Sequence, residues 1–117
     1  MSDLQDEMGN YYREVTLKVG DNVIWYDRYG RPRPALVQCI HGDATMKYYP
    51  YGFKNPAFPD WETKSGFVGC PSINVVLISD NPDKEDSYGR QIEHETSVPH
   101  REDQRAHGYF WDFVMAA

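Results

Sequence analysis

The side chains best suited to chemistry gather in the last third of the chain, where His94, His100 and His107 lie six and seven positions apart among Glu93, Glu95, Glu102 and Asp103. Imidazole and carboxylate are the usual ligands of zinc and related ions, so a metal centre is one reading of that stretch. The spacing argues against it. No H-x-x-x-H places two imidazoles on one helix face, and Cys39 and Cys70, the two cysteines, form no C-x-x-C pair. A hydrolase would join one of these histidines to an acid and to a nucleophile such as Ser72, Ser97 or Cys70. None of the three sits in a G-x-S-x-G elbow, and no glycine-rich phosphate loop occurs. The expectation is therefore a chain with no catalytic residues, no metal and no cofactor.

Two other groups are suited to binding. Arg28, Arg31 and Arg33 flank a turn at 27–30, and guanidinium forks grip phosphate or carboxylate well, so the tip is a candidate anion site. The plainer reading is a solvated turn that offsets an acidic chain. The second group is aromatic. Tyr48, Tyr49, Tyr51, Phe53, Phe58, Trp61 and Phe67 bring seven rings into twenty residues, more than covering a small β domain needs. Some are expected to fold back as a small core, and any left exposed would form a patch of the kind that marks a protein interface.

Strands must position these groups. Residues 15–19 and 22–26 are rich in β-branched and aromatic types and are separated by Gly20 and Asp21. Pro32 and Pro34 cannot donate to a ladder, so the third strand is expected at 35–40, followed by a weaker one at 45–49. Pro50, Pro56 and Pro59 then predict a long irregular loop through the aromatic stretch. Residues 73–79 are apolar without clean alternation and read as a central strand covered on both faces. Residues 91–98 read as an edge strand, and 109–115 as a closing strand. The string Asp-x-Tyr-Gly-Arg occurs at 27–31 and again at 86–90, which predicts two similar turns.

Composition sets the frame. A chain of 117 residues suits one domain, here read as an arm at 1–13 and a β domain at 14–117 with the aromatic insertion at 48–69. Twelve basic against eighteen acidic side chains give a net charge of −6, and no basic run is long enough for a general nucleic-acid binder. No apolar run approaches 18 residues and the opening MSDLQDEMGN is polar, so neither membrane insertion nor export is expected. Cys39 and Cys70 read by default as free buried thiols, with a disulfide between them the open alternative.

Taken in order, LKVGDNVIWYDRYGRPRPALVQCIHG, INVVLIS and SVPHREDQRAHGYFW resemble a family of small proteins common in tailed bacteriophages and prophages, whose members look like SH3-type barrels. The positions that carry the likeness are Val19 and Gly20, Pro34 to Val37, the strand at 73–78, and Val98, His100, Gly108, Tyr109 and Trp111. The likeness runs through most of 17–111 and departs from it in the aromatic insertion. It implies a mainly β fold, a small SH3-like barrel with a long aromatic loop and extended termini. It further implies a non-enzymatic accessory structural protein of the virion, assembled in the host cytoplasm as a capsid decoration or head-associated component. The implied partner is another phage structural protein or a second copy, met through the aromatic residues. The alternative it leaves is a host-modulating or anti-defence protein that takes a small anionic ligand, such as a nucleotide, at Arg28, Arg31 and Arg33.

Overall fold

The period-two pattern at 22–26 produces a strand because Val23 and Trp25 are buried while Asn22, Ile24 and Tyr26 face the other way. The same rule organises the whole chain in the computed structural model, which describes residues 4–55, 58–63, 66–101 and 109–114, the side chains of 53–63 excepted. The strands are β1 (Leu4–Gln5), β2 (Tyr11–Thr16), β3 (Asn22–Tyr26), β4 (Pro32–His41), β5 (Thr45–Tyr49), β6 (Phe53–Asn55) and β7 (Phe58–Thr63). They continue as β8 (Gly66–Val68), β9 (Ser72–Ile78), β10 (Glu85–Asp86), β11 (Gly89–Arg90), β12 (Ile92–Val98) and β13 (Phe110–Phe113). The chain is mainly β.

Two larger sheets form, one in the order β12-β9-β4-β3-β13 and one in the order β1-β2-β5-β8, with small ribbons β6-β7 and β10-β11. Among the described residues the larger sheets share no strand, so their ladders do not close into a hydrogen-bonded barrel. Between them lies the core. Val23, Trp25, Ala35, Val37, Ile73, Val75, Leu77 and Trp111 come from one face of the five-stranded sheet, and Leu17 and Met46 help cover them. The Trp111 indole N–H donates to the carbonyl of Pro71 at 3.0 Å, which satisfies the polar atom of a fully buried ring.

Several boundaries differ from expectation, each for a local reason. The first strand of 15–19 is replaced by β2, which starts inside the stretch read as an arm. Lys18 N–H donates to the Asp21 carboxylate at 2.8 Å, and that turn leaves Val19 exposed and out of the ladder. The third strand begins at Pro32, not at Ala35. Val37 N–H bonds to Asp21 O, so odd-numbered residues of β4 face β3 and the missing donors of Pro32 and Pro34 point toward β9. Leu36 opposes Val76, which sets Pro34 opposite Ile78. The carbonyl that Pro34 cannot serve is instead taken by the Arg33 guanidinium, which donates to Ile78 O.

The stretch expected to be an irregular loop carries the end of β5, the β6-β7 ribbon and β8. Proline is tolerated there because Asn55 pairs with Phe58 and Lys54 with Glu62, leaving Pro59 in a bulge with no partner to bond. The central strand β9 is covered on one face only. Ile73, Val75 and Leu77 are buried, whereas Val76 is half-buried and Ile78 exposed. Strand β12 does lie at a sheet edge, and β13 closes the other edge against β3 over four residues.

Candidate protein-binding surface

The histidines do not assemble. His94 lies on β12 with Nδ1 3.1 Å from the Gln38 amide oxygen, and His41 pairs with Asn74 at 2.8 Å. His100 is buried beside the Trp111, Phe113 and Phe67 rings, with Nε2 3.3 Å from the Asp112 carboxylate. His107, Glu102 and Asp103 lie outside the described residues. Among the described residues no three of His, Cys, Asp and Glu gather where an ion could be held. The nucleophile candidates are equally scattered: Ser72 opens β9, Ser97 sits in the β12 bulge, and Cys70 Sγ is 3.5 Å from Met46 Sδ. Cys39 and Cys70 are not joined in a disulfide.

The arginines engage different partners. Asp27 organises the turn, its Oδ1 accepting the backbone N–H groups of Tyr29 and Arg31 while its Oδ2 takes Arg31 Nε at 2.8 Å. The Arg31 backbone donor leads in holding the Asp27 carboxyl below the usual carboxylate range, and the Arg31 guanidinium and Tyr29 N–H add to it. Arg28 donates to the Tyr109 hydroxyl at 3.0 and 3.2 Å. Arg33 lies over Trp25, reaches Glu93 at 3.5 Å and bonds Ile78 O. The second Asp-x-Tyr-Gly-Arg string forms the matching turn, with Asp86 Oδ1 accepting Tyr88 N–H at 2.8 Å. Gly30 and Gly89, at φ of 76° and 114°, hold the conformation that a side chain would disfavour.

The aromatic stretch divides. Tyr49 is buried, tilts against Tyr12 and donates to Asp6. Tyr48 meets Phe67 at 4.7 Å, and Phe67 stacks on Phe113 at 4.5 Å, so these rings bind the four-stranded sheet to β13. Tyr51 is exposed. The side chains of Phe53, Phe58 and Trp61 lie outside the described residues.

An open apolar face among the described residues is one the sequence reading missed. Ile24 of β3, Pro34 and Leu36 of β4, Val76 and Ile78 of β9 and Ile92 of β12 all project from the face of the five-stranded sheet opposite the core. Leu36 is 42% exposed, Ile78 59% and Ile92 60%, well above what a covered sheet face allows. A groove of about 320 Å³ runs here, lined by Asn22, Pro34, Leu36, Val76, Ile78 and Ile92 among others. Toward β13 the same face is closed by Arg101, whose guanidinium lies 5.6 Å from the Tyr26 ring centre and 5.9 Å from that of Phe110. Arg101 also pairs with Asp112 at 3.4 Å, so the carboxylate on this face is compensated. The signal in the sequence was the unbroken apolar run of β9: both its faces are apolar, and one chain covers one of them.

No protein-family model, no curated protein and no solved structure matches the chain. Chemically, an uncharged, shallow, apolar groove on a rigid sheet suits the exclusion of water against another protein surface.

Proposed function

We propose that the protein works by protein–protein contact, without catalysis, as an accessory structural component of a tailed bacteriophage particle, a capsid decoration or head-associated protein. The observation that carries the contact function is the open apolar face of the five-stranded sheet. Monomers rarely expose contiguous apolar patches beyond a few hundred Å², and the largest such patch often marks an interaction site. The phage setting rests on the sequence resemblance around Val19-Gly20, Pro34 to Val37 and the Val98, His100, Tyr109, Trp111 pattern. The SH3-like layout belongs to the same proposal: two antiparallel sheets packed over one core, with the β3-β4 hairpin inside the larger one.

Quantitative mass spectrometry of purified virions, compared with infected-cell lysate, is the test. A structural component is recovered with the particle in many copies. Abundance in the lysate with none in washed particles overturns the reading.

A further inference from the structure

The open face raises the question of what covers it, and its charge and area narrow the answer. Strands about 4.8 Å apart, with residues about 3.3 Å apart along each, give the patch from Ile24 to Ile92, two register rows deep, a footprint of roughly 20 by 13 Å. Pairing two such patches covers roughly 500 Å² of flat footprint in total, the size of a weak, concentration-dependent contact between copies. A foreign partner for a chain of net charge −6 would meet it with basic groups opposite carboxylates. Asp112, the carboxylate that β13 brings to this face, is paired with Arg101, and no carboxylate lines the groove itself. Its polar rim is equally self-contained, with Gln38 and His94 bonded to each other. An apolar patch with a neutral rim is complementary to itself, which is the requirement of a two-fold interface.

We infer that the occupant is a second copy of this chain, and that the building block of the protein is a face-to-face dimer in which two five-stranded sheets stack through Leu36, Val76, Ile78 and Ile92. The exposed walls Ile78 and Ile92 of one copy fill the groove of the other. This inference rests on reading the face as a docking surface, and it names the partner. Because the dimer joins two acidic bodies through an apolar contact, added salt tightens it by screening their repulsion.

Sedimentation equilibrium of the full chain from about 1 to 200 μM tests it, with a dissociation constant expected near about 100 μM for a contact this small. Ile78→Lys and Ile78→Glu, at an exposed position, are each expected to weaken self-association about 100-fold with unchanged circular dichroism, because each places like charges face to face. Mixing the two variants restores a dimer. A wild-type chain that stays monomeric at 200 μM overturns the inference, as does a dimer that tolerates both variants. The virion readout separates this from the functional proposal. A monomeric wild type that enters particles, with Ile78→Lys excluded from them, overturns the second copy and leaves docking through this face intact. A dimer absent from particles supports the inference and overturns the phage reading.

Discussion

Asp27 shows how much of one turn a single carboxylate sets. It accepts two backbone donors and one guanidinium, and its folded pKa lies below the value of an unfolded aspartate, about 3.9. Its contribution to stability is therefore fully present above that value and lost as pH falls through the folded one. Asp6 adds to the same trend, because although burial works against its ionisation, donors from Asn10, Met8 and Tyr49 outweigh that and hold it low. Asp27→Asn keeps an oxygen for Tyr29 and Arg31 but removes the charge. Melting midpoints followed from pH 7 to pH 2 are expected to show the variant below wild type at neutral pH and the two converging in acid. Parallel curves would mean the charge does not matter. The string Asp-x-Tyr-Gly-Arg was legible as a turn from sequence because Asp and Gly impose it locally. The buried place of His100 was not, since only Trp111 and Phe113, delivered by β13, create that environment.

Among the elements, β4 is the instructive one. A proline in an interior strand leaves a neighbouring carbonyl without its donor, and here Arg33 supplies one to Ile78. Arg33→Ala is expected to cost about 1 kcal/mol by stranding that carbonyl. Pro34→Ala returns a backbone N–H to the same place, so the double variant should lose less than the single changes predict. A double-mutant cycle by chemical denaturation reads the coupling, and strict additivity would refute the exchange. The strand at 22–26 was legible because β-branched and aromatic residues favour extended backbone whatever their neighbours, whereas the alternation at 15–19 was cut short by the turn that Asp21 holds. Those at 32–34, 53–55 and 58–63 were not: each depends on which side of a proline faces a partner, and pairing decides that. The run at 73–79 announced a strand correctly, and its two apolar faces marked two surfaces to cover without telling that this chain covers only one.

At the scale of the molecule, the body measures 56 × 29 × 29 Å with a radius of gyration of 16.6 Å, against about 13 Å for a compact chain of this length. Elongation makes the geometry of self-association measurable. Stacking through the five-stranded sheets, whose facing layers sit about 10 Å apart, places the two centres close together and raises the radius of gyration to about 20 Å. End-to-end joining would raise it to about 30 Å, by the same geometry. Small-angle scattering at concentrations where the dimer dominates distinguishes them, and the larger value would exclude the stacked arrangement. Composition spoke to this scale only through charge, because which apolar groups remain outside is settled after every strand has chosen its neighbours.

The seam between β3 and β13 has an optical consequence. Trp25 and Trp111 are register partners on adjacent strands, both shielded from water, yet they come from opposite ends of the chain. Bringing them together is a long loop closure, a step that folds late when local pairing is quick. The two indoles thus give the protein a built-in clock for its last assembly event. In a Trp61→Phe variant, where only these two of the three tryptophans report, their blue-shifted emission is expected to grow in with the slowest refolding phase and to lag behind the far-ultraviolet dichroism of the remaining strands in stopped-flow traces. Simultaneous recovery of both signals would show that the final strand docks together with the rest.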